Sequence, residues 1–327
     1  MRILLQFPEG LKQKALEYAT SLEKEGHEVF ISASPTFGAC DLAIDEAKSL
    51  KADKLIHYGH AEFRHVNFNV EYVSYQIDAP LHLLPESLEV LKEYKIIGIV
   101  TTIQHIHQLN EIKKFYESRG HTVLIGKPYG FAKEPGQILG CDIGSAATLD
   151  QKADALLYFG GGIFHPLGAV LATKKPFFVI EPFKGTIERF DGYRDLYAKK
   201  RRAKILRALD SKKIGILLTT KNGQSNMALA RILKARIEKS GMAAGILVAN
   251  TFDFESLDNM LEFDAFVNTA CPRIAIDDLE RTRKPLLSAN ELIEVIRMRE
   301  EMLELPKAKH DKASPTKAGQ TANQSSI

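Results

Sequence analysis

The chain has 327 residues, of which 45% are apolar and 26% charged. That balance is ordinary for a globular protein and excludes disordered, collagenous and membrane-embedded classes. Lys and Arg number 44 against 41 Asp and Glu, and a net charge of +3 is too small to imply a nucleic-acid partner.

The opening run, MRILLQF, is short and stops at Pro8 and Glu9. It predicts a buried strand over 2–7 and no secretory signal. A helix over 11–24 follows, then Gly26, a strand over 28–32, a helix over 41–50, and strands over 54–58 and 72–75. A second round opens with the strand KIIGIVTT, a helix over 106–118, Gly120 and the strand HTVLIGK. Two further strands (DALLYFGGG and PFFVIEP) and helices over 143–152 and 166–173 complete it. The apolar stretch 155–172 is broken by Gly160, Gly161, Gly162, His165, Pro166 and Gly168. It makes a poor bilayer span and a good strand, loop and helix. A soluble, cytoplasmic protein without membrane contact is expected.

Residues 197–210, YAKKRRAKILRALD, form a basic helix. Such a run is either a solvated face or a docking surface for an acidic macromolecule. A third round follows: KIGILLTT, a helix over 224–239, Gly241, GILVAN, a short helix, DAFVNTA, another helix and KPLLSA. LEKEGHEVFIS, YESRGHTVLIG and IEKSGMAAGILV resemble one another, one per round. The period of about a hundred residues predicts an α/β protein of three tandem Rossmann-like parallel-sheet domains. Their expected spans are 1–93, 94–190 and 191–304, around a pseudo-threefold centre. Residues 305–327, with few apolar side chains, are expected to be a disordered tail.

One cysteine falls in each round: Cys40 in PTFGACDLAID, Cys141 in EPGQILGCDIG and Cys271 in FVNTACPRIAID. Three cysteines in a reducing compartment do not make a disulfide framework. Two readings are open: small buried hydrophobes, or ligands of one metal centre if equivalent loops meet on the axis. Zinc prefers four ligands, often with close Cys pairs, and these three are isolated. Three thiolates leave one iron of a 4Fe–4S cubane open to substrate. Gly38, Gly140 and Gly144 beside them relax the turns and admit backbone N–H groups.

Supporting residues carry paired readings. Gly160, Gly161 and Gly162, followed by His165, form either a ligand cradle at a strand end or a tight turn. Gln224 is either a ligand contact or a plain helix N-terminal residue. His57 and His60 fit satisfied structural histidines, and Arg273 either grips a carboxylate or forms a structural ion pair.

Residues 36–60, TFGACDLAIDEAKSLKADKLIHYGH, closely resemble the first cysteine motif of the diphthamide-synthesis 3-amino-3-carboxypropyl transferases. GQILGCD and TACPRIAID resemble the second and third. The likeness runs from Pro8 to the strand at 284–288. Phe37 stands where a Tyr is usual, and Ala61 where Ser or Thr is frequent, so Ala61 is assigned no role. The resemblance implies a 4Fe–4S cluster held by Cys40, Cys141 and Cys271, without the C-x3-C-x2-C run of ordinary radical enzymes. It implies cleavage of S-adenosylmethionine to a 3-amino-3-carboxypropyl radical that adds to C2 of a histidine of translation elongation factor 2. It further implies the archaeal homodimeric form and a separate low-potential electron donor. The rival readings are a quinolinate synthase-like cluster enzyme and a non-catalytic iron–sulfur sensor.

Overall fold

A computed structural model of the chain describes residues 1–277 and 281–304. The tail expected to be disordered, residues 305–327, lies outside the described residues. The first sheet combines β1 (Arg2–Gln6), β2 (Glu28–Ile31), β3 (Lys54–Tyr58) and β4 (Val70–Val73), with α1 (Ala15–Lys24) and α2 (Ile44–Ser49) between them. The second follows α3 (Leu84–Leu91). It holds β5 (Ile96–Thr101), β6 (Thr122–Ile125), β7 (Ala155–Phe159), β8 (Phe177–Glu181) and β9 (Thr186–Arg189), with α4 (Leu109–Glu117), α5 (Gly144–Leu149) and α6 (Phe164–Ala172). The third follows α7 (Tyr193–Ala208). Its strands are β10 (Lys213–Thr219), β11 (Ala243–Ala249), β12 (Ala265–Asn268) and β13 (Leu286–Ser288). Its helices are α8 (Met227–Lys239), α9 (Phe254–Asp258), α10 (Ile274–Asp277) and α11 (Ala289–Glu304).

The strand order is the same in each sheet: β2-β1-β3-β4, β6-β5-β7-β8-β9 and β11-β10-β12-β13. Pairing is parallel except where β9 runs antiparallel to β8. Parallel strands covered by helices bury both faces and read as continuous apolar runs. Accordingly Ile214, Ile216 and Leu218 face one core layer and Leu217 the other. The second sheet behaves alike, with Ile97 and Ile99 on one side and Val100 on the other.

Two local devices recur in all three sheets. After the first long helix, Gly26, Gly120 and Gly241 take φ of +86°, +90° and +82°. The next residue then donates back across the turn, His27 to Leu22, His121 to Tyr116 and Met242 to Ile237, each at 3.2 Å. This is the glycine-terminated helix end that the repeated sequence motif encodes. Ahead of each third strand stands an Asp. Asp53 accepts from the Arg2 amide at 2.7 Å, Asp154 from the Ile96 amide at 2.8 Å and Asp264 from the Lys213 amide at 2.8 Å. Each Asp thereby ties the start of the first strand to the start of the third.

The expected helix over 11–24 begins as a 3-10 turn (Glu9–Lys14), and that over 106–118 follows another (Ile103–Gln108). The helix expected from 224 starts at Met227, because the Asn226 side chain accepts from the Leu229 amide and fixes its N-terminus. α3, β9 and α11 are additional elements. Leu84 and Leu91 of α3 pack with Ile97 and Ile99, so α3 belongs to the second core. No described helix is long and apolar enough to cross a membrane.

The basic helix α7 is held by α11. Lys204, 6% exposed, lies 2.8 Å from Glu291, 2% exposed, and also donates to the Ala275 carbonyl at 3.0 Å. Burial lowers the Lys204 pKa, against the pull of Glu291. Glu291 accepts in addition from the Ser288 amide at 2.7 Å. Part of the basic run is thus structural. Without Lys204 the buried Glu291 keeps only the longer 3.5 Å pair with Arg201 and the Ser288 amide, so Lys204→Met is expected to cost about 3 kcal/mol in urea unfolding. The paired change Lys204→Met with Glu291→Leu is expected to recover most of that loss.

Candidate active site

Cys40 lies between β2 and α2, Cys141 between β6 and α5, and Cys271 between β12 and α10. All three are therefore at carboxyl ends of strands, where open α/β sheets bind ligands. Their loops are not all equivalent, however. Cys40 and Cys141 follow the second strand of their sheets, whereas Cys271 follows the third. The equivalent loop of the third sheet serves a different contact, in which Asn250, just past β11, accepts from Lys221 Nζ at 3.2 Å.

The Cys40 loop is fixed from outside its own sheet. The 221–224 turn after β10 meets it residue by residue. Lys221 Nζ lies 2.7 Å from Asp41 Oδ1, with both side chains at least nine-tenths buried. Asn222 Nδ2 donates to the Leu42 carbonyl at 2.9 Å, and the Gly223 amide donates to the Cys40 carbonyl at 3.0 Å. Gln224 Nε2 donates to Cys40 Sγ at 3.2 Å. A Cβ on Gly223 would stand 2.5 Å from Cys40 Cα, so only glycine allows this approach.

The Cys141 loop is tied by its neighbour. Asp142 accepts from the Phe131 amide at 2.5 Å and from the Gly144 amide at 3.2 Å. The Cys271 loop is caged by Asn268, which donates to the Cys271 carbonyl at 2.7 Å and accepts from the Ala270 amide at 3.0 Å. The three thiols, none in a disulfide, line one cavity. Phe37, Phe63, Phe131, Phe164, Ile103 and Leu139 supply its apolar wall, and His60, Glu62, Gln137, His165 and Gln224 its polar points. Among the described residues no three His, Cys, Asp or Glu side chains are gathered tightly enough for a single metal ion.

The profile of the diphthamide synthesis protein family matches residues 7–304. The chain belongs to that family. The 2-(3-amino-3-carboxypropyl)histidine synthase of Pyrococcus horikoshii is 37% identical over 304 residues, spanning 92% of this chain and 87% of that relative. Human 2-(3-amino-3-carboxypropyl)histidine synthase subunit 1 is 28% identical over 309 residues, spanning 90% of this chain and 68% of that subunit. The crystal structure of Dph2 from Pyrococcus horikoshii with a 4Fe–4S cluster matches with a TM-score of 0.83 at 36% identity, covering 92% of this chain and 87% of that one.

In this diphthamide synthesis protein the thiols of Cys40 and Cys141 resist ionisation. Burial pushes the Cys40 pKa up, while the Gln224 hydrogen bond opposes the shift. Desolvation, then the charges of Cys271 and Cys40, push the Cys141 thiol up to about 12. Of the other residues singled out from sequence, His60, His165 and Gln224 line the cavity with the thiols. Arg273 is buried with its guanidinium 4.5 Å from the centre of the Phe164 ring. Gly160, Gly161 and Gly162 do not line that cavity. Their turn is held by Glu181, which accepts from the Gly162 amide at 2.7 Å. Sequence reasoning missed Lys221, Asn222, Asp142 and Asn268, and the aromatic wall beyond Phe37. The only local signal for the first two was KNG directly after a strand.

His57, fully buried, shares hydrogen bonds with Gln6 at 2.9 Å and His60 at 3.0 Å. Burial, then the neighbouring His60, pushes its pKa from 6.5 down to about 3, and burial pushes that of His60 down to about 4. Both rings are neutral at physiological pH. Their pKa values are lower in the fold than in the unfolded chain. Between about pH 6.5 and 4 the unfolded chain therefore binds protons that the fold refuses. Stability is thus full above pH 6.5 and falls as the pH drops below it. Urea unfolding across that range is expected to show the loss, with a shallower slope in His57→Gln.

Proposed function

We propose that this chain transfers the 3-amino-3-carboxypropyl group of S-adenosylmethionine to C2 of a histidine in translation elongation factor 2, the first step of diphthamide biosynthesis. The observation that carries this reading is the gathering of Cys40, Cys141 and Cys271 on one cavity in a chain of this family. The donor set fits a 4Fe–4S cluster: three thiols on one cavity, which would leave one iron position for substrate. Such a cluster, when bound, supplies the electron that breaks the sulfonium bond to the methionine γ-carbon. Overall a C–S bond is exchanged for a C–C bond, the imidazole loses its C2 proton, and 5′-methylthioadenosine leaves. The electron lent to the sulfonium is returned, so the transfer is redox-neutral.

The chain's own residues do the rest. The cysteines hold the centre in place, and Gln224 offsets charge on the Cys40 sulfur. The exposed faces of Phe37 and Phe164 suit an adenine ring and a sulfonium. His60 and His165, both held near pKa 4 by burial, stay neutral and do not repel the sulfonium. Arg273 braces Phe164 from beneath. The bond from Glu181 to the 160–162 turn favours its reading as a tight turn that shapes the wall before His165.

The shared strand order and the repeated Asp and Gly devices support descent of the three sheets from one triplicated Rossmann-like unit arranged about a pseudo-threefold centre. We assign the second unit to residues 84–190, so that it takes in α3, and the third to residues 191–304. The first ends before α3 rather than at 93, since α3 packs on the second core. A homodimer, a cytoplasmic location and an external low-potential electron donor complete the proposal.

Anaerobic reconstitution followed by turnover with S-adenosylmethionine and elongation factor 2 tests the reading. Methylthioadenosine and modified histidine are expected. Each single Cys→Ala variant is expected to lower iron content and to cut transfer by at least about 100-fold. A native protein that takes up a cluster yet forms no methylthioadenosine would be a sensor instead.

A further inference from the structure

The thiol centre has two faces of different chemistry. One is the aromatic cavity, lined by no lysine or arginine and by a single carboxylate, Glu62. The other is a second cavity that touches the same three cysteines and whose lining includes Arg64, Ser225, Asn226 and Thr269, with Arg64 its only charged side chain. Phe63, Phe131 and Gln224 line both, together with the three cysteines. The rings of Phe63 and Phe131 stack with centroids 3.9 Å apart, and the Arg64 guanidinium lies 5.2 Å from the Phe131 ring centre. Arg64, Ser225 and Asn226 are exposed, so a macromolecule can reach them.

Resting on the transferase reading, we propose that the loop of the protein substrate that presents its histidine docks at the Arg64 mouth, while the cosubstrate occupies the aromatic cavity. Polarity separates the two ligands. The aromatic cavity offers ring faces and Glu62 to a fixed cation such as a sulfonium, with Arg273 and Lys221 already lying over Phe164 and Phe37 at 4.5 and 5.4 Å. An acceptor loop brings backbone carbonyls and a neutral imidazole. These suit the exposed hydroxyl and amide of Ser225 and Asn226 and the donors of Arg64. A guanidinium at the mouth also disfavours protonation of the arriving ring, keeping its C2 open to attack. Both faces reach the same thiols, so the two ligands meet at the centre without competing for one opening. Arg64 is then a specificity residue for the acceptor.

The test compares Michaelis constants for the two substrates in the reconstituted, cluster-loaded protein. Arg64→Glu is expected to raise KM for elongation factor 2 by about tenfold or more, with KM for S-adenosylmethionine moving less than about threefold. Arg64→Gln, a milder change at an exposed site, is expected to give a smaller shift of the same kind, and Arg64→Lys to retain most acceptor affinity. A rise confined to S-adenosylmethionine assigns Arg64 to the methionine carboxylate and overturns the proposal. Equal rises in both constants, or no change in either, overturn it as well. If the native protein forms no methylthioadenosine, the transferase reading itself fails, and that outcome is read before any variant is compared.

Discussion

The contact between the 221–224 turn and the Cys40 loop sets the geometry of the site. It joins the first and third sheets through one buried ion pair, two backbone-directed hydrogen bonds and a glycine that lets the chains touch. A buried pair such as Lys221 and Asp41 contributes little net stability, because desolvation offsets most of the attraction. Breaking it is costly, since the orphaned charge has nowhere to go. Its effect is therefore registration: it admits one arrangement of the two sheets and penalises the others. In that arrangement Gln224 reaches the Cys40 sulfur.

The other two thiols are set by short-range devices within their own loops. Asp142 spends its carboxylate on loop amides, and Asn268 brackets Cys271 from the end of β12. Loop polar groups are thus satisfied internally, and the sulfurs are left to face the cavity. Desolvation raises the pKa of the Cys40 and Cys141 thiols, and the other two cysteines add to the shift at Cys141. An electrophilic cluster reverses that balance by binding the thiolates, which couples its loading to proton release.

Much of the fold was legible because its signals are local. The Gly26, Gly120 and Gly241 helix ends repeat in sequence as they do in space, and alternating strands and helices fix a parallel architecture. The cysteine loops were legible from residue type and neighbouring glycines. The seam was not, because Lys221 and Asp41 are 180 residues apart and neither carries a motif of its own. The place of Cys271 after the third strand of its round, DAFVNTA, could be read from the sequence, whereas Cys40 follows the second strand of its own. β9 is a short edge strand without strong alternation. α11 carries a readable stripe in Leu292, Val295 and Ile296, which face the third core. Lys204 shows why a charge run is ambiguous: its partner Glu291 is far along the chain, on α11.

The central claim is that three thiols from three sheets share one cluster with an open iron. Electron paramagnetic resonance of the anaerobically reconstituted, reduced protein addresses it directly, alongside iron and sulfide analysis. About four iron and four sulfide per chain are expected, with a cluster signal that changes when S-adenosylmethionine is added, as an unoccupied coordination position requires. One tightly bound zinc per chain, or a cluster signal indifferent to S-adenosylmethionine, would contradict it.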